Sequence, residues 1–366
     1  MKILHVLYSG LGGHGNVFFS LLQADKKSEF NYEAVFNGIE DIRQEYIERC
    51  KEMNIPYTFI KKQPGKHFSF YYKLFKAIKK VKPEVIFLHG SMAGPAAFAA
   101  GFLSGNKAKI IVRETQAMHM KSKPDKIALN VAMLLADHIV FLSKEYQQDV
   151  KKKIGPFYRS KKVNIIPNGI DLDFFCPAIK QQNNTTVLGM VSRLVNIKDH
   201  ITLFGAIRLL KNSYPSFNVK LLIAGDGTYR SELEKKVDEL NLRDIVFFTG
   251  MLNEKDLPGF LQSLDIYIHA SLGETMSTAI MQAMACGLSI IASDVDGINN
   301  MITDNKTGLL VPVKNEEKLA ATIYNLACNT ALQKTLAANA LLYAKEKLSN
   351  EKMYNNYKHL FVAALV

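Results

Sequence analysis

Short apolar runs alternate with amphipathic stretches of helical spacing along almost the whole chain. Lys2–Tyr8 is nearly unbroken in apolar residues, as a strand buried on both faces must be. The spacing then predicts a helix over 16–23, short strands over 33–36 and 57–60, and a helix over 70–81 stopped by Pro83. Val85–His89 reads as a strand, 93–103 as a helix, Lys109–Arg113 as a strand, 127–135 as a helix and 138–143 as a strand. Strands separated by helices of about ten residues imply a parallel, doubly wound sheet.

The alternation pauses at Ile166-Pro-Asn-Gly-Ile-Asp-Leu-Asp and again over 180–186, a polar Gln/Asn/Thr stretch that is the best linker candidate. It then restarts. Strands are expected at Thr186–Val191, Val219–Ala224, 245–249, Ile266–His269 and 289–292, and helices at 200–211, 229–240, 254–263 and 277–285. The expected class is α/β, with two doubly wound, Rossmann-like domains over 1–170 and 171–350. A helical tail over 351–366 can pack back on the first. Ligands bind beyond the carboxyl ends of such strands, so two domains facing each other would enclose one cleft.

The length of 366 residues agrees with two cores, since single cores stop growing at roughly 250–300 residues. Four scattered cysteines without a CxxC spacing suggest neither a zinc site nor a disulfide framework, and free thiols suit a reducing cytoplasm. The first apolar run is too short for a signal peptide, and no stretch approaches the roughly 18 apolar residues of a membrane span.

Charge changes the picture more than composition does. The net charge is +12, and it is one-sided: residues 1–175 hold 27 Lys/Arg against 16 Asp/Glu, and residues 176–366 hold 19 against 18. The densest part runs from Lys61 to Lys82, eight lysines among Phe68, Phe70, Tyr71, Tyr72 and Phe75. A second cluster is Lys151, Lys152 and Lys153 with Lys161 and Lys162. The plain reading of 61–82 is a solvated basic helix face. The other is peripheral contact with an anionic membrane, on the inner face of the cell membrane, with aromatics inserting and lysines meeting head groups. Nucleic acid is not expected, because no motif for it accompanies the charge.

The richest chemistry lies between Ser271 and Ala285. Glu274 sits in a small-residue turn after the apolar run Asp265-Ile-Tyr-Ile-His-Ala, and a helix pattern opens a few residues later. A strand, a turn and a helix N-terminus make an anion site. A carboxylate there does not bind the anion; it suits hydroxyls beside it, and phosphate beside hydroxyls describes a nucleotide-sugar. Arg193 and Lys198 lie in the loop after the strand Thr186–Val191. Alone they would be two solvated cations, but at a strand's carboxyl end, facing Glu274, they suit a phosphate.

Gly10-Leu-Gly12-Gly13-His14-Gly15 follows a strand and opens a helix, the form of a dinucleotide fingerprint. The acid that fingerprint wants about 20 residues on is absent, because Asn37 stands there. The glycines then let backbone approach a phosphate or sugar, or simply form a tight turn. Ala224-Gly-Asp-Gly is a turn by itself. His89 and His119 lie at strand ends, where a satisfied core or surface histidine is the plainer reading, and no trio of histidines has metal-site spacing. No acidic pair stands out in a strand-end loop, which argues against metal-dependent diphosphate handling.

Taken together these motifs resemble a retaining glycosyltransferase of family 4, with the two-domain GT-B fold. Ile166-Pro-Asn-Gly-Ile-Asp is similar to the family's interdomain IPNGVD segment, and Val191-Ser-Arg-Leu-Val-Asn-Ile-Lys-Asp to its GRL-x(3)-KG diphosphate loop, with Ser192 for the usual Gly. Ala224-Gly-Asp-Gly matches its AGDG and Asn305-Lys-Thr-Gly-Leu-Leu-Val-Pro its TGLLVP. Their order and spacing together are specific, and the resemblance covers nearly the whole chain.

The resemblance implies roles. Arg193 and Lys198 would hold the donor diphosphate and stabilise the leaving nucleotide, and Glu274, the first Glu of the EX7E motif, would contact donor-sugar hydroxyls. The N–H groups of Met276, Ser277 and Thr278 would sit near sugar and phosphate, Gly12 and Gly13 would close on the phosphate, and Met251 in segment 250–253 would flank the base. Gln282 replaces the second Glu, so the ribose contact should weaken by about 1 kcal/mol. Glu114 stands where the family has a His, with His119 five residues on; these and His89 would serve the acceptor side. The implied reaction is retaining transfer without metal or cofactor. It moves a sugar from a UDP-sugar or similar donor to a hydroxyl of a glycan or lipid-linked acceptor, in bacterial surface polysaccharide, lipopolysaccharide or glycolipid assembly. The alternatives are a non-catalytic nucleotide-sugar-binding protein and an NAD(P)-dependent enzyme resting on Gly10 to Gly15.

Overall fold

The computed structural model describes residues 1–10, 13–63, 67–103, 108–179 and 184–365. Gly12 of the expected phosphate loop, residues 64–66 of the basic segment and residues 180–183 of the expected linker lie outside the described residues. The chain forms two compact units, Met1–Gly169 with Asn350–Val366, and Ile170–Ser349.

Among its described residues the first unit is built on seven strands: β1 Lys2–Tyr8, β2 Asn31–Gly38, β3 Tyr57–Lys61, β4 Val85–His89, β5 Lys109–Arg113, β6 His138–Phe141 and β7 Val163–Ile165. They pair in parallel in the order β3-β2-β1-β4-β5-β6-β7. The order reverses between β1 and β4, and crevices open at such a switch point. The central strand β4 is buried along its whole length, because helices cover both faces and leave it no polar side. One cover is the helix His67–Val81, whose Phe70, Leu74 and Ile78 enter the core at helical spacing. On the other face the helices Gly13–Ala24 and Asn350–Leu365 share a core in which Tyr357 and Phe361 stand 5.0 and 5.7 Å from the ring of Phe87.

Among its described residues the second unit has six strands: β8 Thr186–Val191, β9 Val219–Ala224, β10 Val246–Gly250, β11 Ile266–His269, β12 Ser289–Ser293 and β13 Leu309–Val311. All pairings are parallel, in the order β10-β9-β8-β11-β12-β13. Its switch point therefore lies between β8 and β11, the two strands that end in the Arg193–Lys198 loop and the Glu274 turn.

Several element boundaries differ from the sequence expectation for local reasons. The helix expected over 127–135 begins at Lys123, because Ser122 and Asp125 form a reciprocal capping box around Pro124. The strand expected to reach Ser143 stops at Phe141; Ser143 instead caps a polar helix, Lys144–Ile154, by accepting from the Tyr146 amide at 3.1 Å. The helix Gln44–Glu52 also escaped the apolar pattern, since only Tyr46 and Cys50 of its nine residues are buried.

Candidate active site

At the switch point of the second unit, the loop after β8 and the turn after β11 are tied backbone to backbone. The Leu272 amide donates to Ile197 O at 2.8 Å, and Ser271 Oγ donates to the same oxygen at 3.2 Å. The loop after β9 closes on them as well, with the Ser192 amide donating to Ala224 O at 3.0 Å and the Leu194 amide to Asp226 O at 2.9 Å. This explains Gly225 and Gly227. A Cβ on either would lie 1.8 Å from Ser192 O or 2.3 Å from Leu194 O, so the Ala224-Gly-Asp-Gly turn is glycine-rich because two loops meet there.

That scaffold brings Lys198 and Glu274 into a short ion pair, the ammonium on carboxylate Oε1, with side chains 12% and 16% exposed. Burial first, and then the Arg193 charge, lower the Lys198 ammonium from its ordinary 10.5 to about 7, despite the carboxylate beside it. Arg193 is exposed and makes no ion pair among the described residues. One cation is thus pre-set against Glu274 and the other is open to an incoming anion.

Ser277 caps the helix Thr278–Ala285 by accepting from the Ile280 amide at 3.4 Å, leaving the first-turn amides without acceptors inside the helix. Met276 and Thr278 flank that cap and are partly exposed. Gln282 is buried in the second turn of the same helix. Met251 is exposed just beyond β10, where the Gly225 amide donates to Gly250 O at 2.8 Å. The second unit thus brings Arg193, Lys198, Glu274, Met276, Ser277 and Thr278 to the carboxyl ends of its two central strands, β8 and β11.

Sequence reasoning missed His269. It ends the apolar run of β11 and is buried, with Nε2 2.9 Å from Glu274 Oε1 and 3.4 Å from Ser277 Oγ. Burial, with Lys198 and His200 nearby, holds its pKa well below the ordinary 6.5, so the ring is neutral. A polar residue at the carboxyl end of a buried strand was the signal available.

In the first unit Gly13 is exposed at the start of the helix Gly13–Ala24. Asn37, standing where a dinucleotide site needs an acid, spends its amide on Leu7 O at 2.8 Å inside the sheet. His89 agrees with the plainer reading, a satisfied core histidine. It is buried, with Nε2 3.1 Å from His5 Nδ1 and Nδ1 3.3 Å from the Arg113 guanidinium. Arg113 in turn donates to Asn168 Oδ1, which fixes the segment leading out of the unit. Glu114 is equally committed: its side chain is 2% exposed and pairs with Lys121 at 2.7 Å. His119 is exposed in a short 3-10 turn. His14, which sequence reasoning passed over, reaches Thr115 Oγ1 at 2.9 Å. Among the described residues no cluster of His, Cys, Asp and Glu could hold a metal ion.

The chain matches two family models in succession: glycosyltransferase family 4 over residues 11–174 and glycosyl transferases group 1 over residues 175–342. It is 31% identical over 204 residues to a human phosphatidylinositol N-acetylglucosaminyltransferase component, covering 55% of this chain and 41% of that protein. It is 26% identical over 261 residues to an Escherichia coli UDP-Gal:alpha-D-GlcNAc-diphosphoundecaprenol alpha-1,3-galactosyltransferase, covering 66% of each. The chain thus spans less than two thirds of either curated relative. Among solved structures, HepE of Anabaena in complex with UDP and glucose superposes with a TM-score of 0.83 over 99% of this chain and all of that one, at 20% identity. Sucrose-phosphate synthase of Thermosynechococcus elongatus gives 0.83 at 18% identity over 99% and 100%. Similarity of that kind fixes the fold, α/β of the GT-B type with two Rossmann-like units.

Proposed function

The chain belongs to glycosyltransferase family 4, and from that premise we propose that it transfers a sugar, with retention, from a nucleoside-diphosphate sugar to a hydroxyl. The carrying observation is the switch point of the second unit, where Lys198 pairs with Glu274 and Arg193 stays open. A diphosphate fits the cations and the helix start at Thr278, and sugar hydroxyls fit the carboxylate. The second unit is then the donor side, and the first the acceptor side.

UDP is the carrier we favour, because HepE was captured with UDP and with UDP-glucose, and the E. coli relative is named for UDP-Gal. A lipid-linked glycan acceptor is favoured because that relative is named for a diphosphoundecaprenol substrate, as is a Campylobacter jejuni relative 27% identical over 252 residues. In this reading the diphosphate leaves toward Arg193, Lys198 and the helix N-terminus, and the acceptor hydroxyl attacks from the same face. The acceptor proton passes to the departing phosphate. Catalysis is then positioning and preorganised charge, with no metal or cofactor.

Peripheral membrane contact is part of the proposal, on a narrower surface than the sequence suggested. Phe70 is buried and Tyr71 and Phe75 are half-buried, so the helix His67–Val81 offers only Phe68, 85% exposed, and Tyr72, 50% exposed, beside Lys73, Lys76, Lys79 and Lys80. Among the described residues no helix is long and apolar enough to cross a membrane.

The test is incubation with UDP-, GDP- and ADP-linked sugars, reading transfer or slow donor hydrolysis together with thermal shift. Stabilisation by one nucleotide, plus turnover of its sugar, supports the proposal. Stabilisation without turnover across donors and acceptors would point to a non-catalytic binding protein, the reading that Gln282 in the ribose position favours. Stabilisation by NAD(P) alone would overturn both.

A further inference from the structure

We propose that His269 is a positioning residue for the donor sugar, holding the Glu274 carboxylate through a hydrogen bond from Nε2 when Lys198 turns to the diphosphate. The inference rests on the reading of Glu274 as the donor-sugar ligand.

The geometry fixes the proton. His269 Nε2 is 2.9 Å from Glu274 Oε1, and Nδ1 is 3.2 Å from the Tyr267 hydroxyl. The ring is neutral, so it carries one N–H. A carboxylate oxygen at hydrogen-bond distance requires a donor, which places the hydrogen on Nε2; Nδ1 then faces the Tyr267 hydroxyl, whose one proton is shared between Nδ1 and Val191 O at 3.3 Å. Tyr267 is buried in the core of the unit, so the ring is held from behind.

Glu274 Oε1 therefore takes two donors of opposite character. Lys198 is a flexible cation that a diphosphate would recruit, because phosphate offers it more negative charge than one carboxylate does. His269 is uncharged, rigid and set on a strand, so an incoming anion has little hold on it. With His269 in place, the carboxylate keeps its orientation after Lys198 leaves, and Oε2 stays free for sugar hydroxyls. Without it, Glu274 follows Lys198 toward the phosphates, and the sugar loses its acceptor. The expected defect is confined to the sugar.

His269→Leu removes the donor, and His269→Gln offers an amide N–H near the Nε2 position. With a UDP-sugar, Leu should lower kcat/KM by about tenfold to a hundredfold, the scale of a misplaced group. Its affinity for UDP alone should stay within about twofold of wild type, since UDP lacks the sugar. Gln should restore most of the loss. Nitrogen-15 spectra of the wild-type imidazole should show the Nε2–H tautomer, unchanged between about pH 6 and 8. Wild-type kinetics in the Leu variant, equal losses in Leu and Gln, a parallel loss of UDP affinity, or an Nδ1–H or charged ring would overturn the proposal. Wild-type protein that binds no nucleotide and turns over no donor overturns the glycosyltransferase reading instead. If the Leu variant does not fold, the tautomer and the Gln variant decide.

Discussion

Lys198 and Glu274, 76 positions apart in sequence, meet as an almost buried ion pair between the loops that end β8 and β11. A buried pair is seldom kept for stability, because desolvating two charges offsets most of their attraction. In the proposed function each charge holds the other in readiness: the ammonium for a diphosphate, the carboxylate for the sugar beside it. Lys198→Ala should destabilise the fold by about 3 kcal/mol, because it strands Glu274 without its cation. Adding Glu274→Gln should recover most of that loss while activity stays absent. Urea denaturation of the single and double variants, beside a donor-turnover assay, checks both halves.

The Lys198 ammonium gives donor binding a pH dependence of definite sign. It titrates at about 7 in the free protein, and a diphosphate raises that value. Above about pH 7 binding must therefore bring in a proton, and affinity for a UDP-sugar falls with rising pH, by up to about tenfold per unit; below it the dependence flattens. The donor has no phosphate group titrating in this range, so the slope belongs to the protein. Calorimetry in two buffers of different ionisation enthalpy should show proton uptake at about pH 8, and Lys198→Met should abolish it.

Arg193 is the exposed partner of this arrangement and contributes little to the fold. Arg193→Ala should leave stability within about 0.5 kcal/mol of wild type, as for most surface changes. It should cut turnover by at least about a hundredfold, the scale for losing one stabiliser of developing charge. Near-normal turnover would remove Arg193 from the leaving group.

Much of this was legible in the sequence because parallel strands covered on both faces must be apolar throughout, as β1 and β4 are, and their ends then mark where chemistry collects. Arg193, Lys198 and Glu274 were singled out that way, and the structure brings Lys198 and Glu274 into contact. What escaped depends on three-dimensional register. Nothing in the sequence pairs Lys198 with Glu274 rather than with a neighbour, and His269 hides as the last letter of the apolar run Ile-Tyr-Ile-His. Gly225 and Gly227 read as an ordinary turn until the loop after β8 is seen packed against their α-carbons. The burial of His89 and Glu114 was hidden for the opposite reason. Polar residues at strand ends look exposed on paper, but Arg113 and Lys121 draw them into the interior.

Gln282 offers a gain-of-affinity test. It is buried on the helix that Ser277 caps, eight positions beyond Glu274. If it faces the ribose, Gln282→Glu replaces an amide acceptor with a charged one and should tighten nucleotide binding by about 1 kcal/mol, roughly fivefold. The gain should vanish with a nucleotide lacking the ribose hydroxyls. A titration showing equal gains for both nucleotides would place Gln282 elsewhere.

The helix His67–Val81 carries the membrane prediction. Phe68 and Tyr72 lie one turn apart on its exposed side, and the Lys76 ammonium sits 4.7 Å from the Tyr72 ring centroid. Two aromatics cannot anchor a protein of this size alone, so the lysines must supply much of the attraction, at about 1 kcal/mol for each one engaged. Binding to vesicles should therefore require anionic lipid and weaken as salt rises. Neutralising Lys73, Lys76, Lys79 and Lys80 together should reduce co-sedimentation by at least about a hundredfold in affinity. Phe68→Ala should weaken binding further without altering the salt dependence, because it removes insertion and leaves charge. Turnover of a water-soluble acceptor analogue should be untouched in both variants. Vesicle binding that survives loss of the four lysines would move the contact to the other basic cluster, Lys151–Lys153 with Lys161 and Lys162.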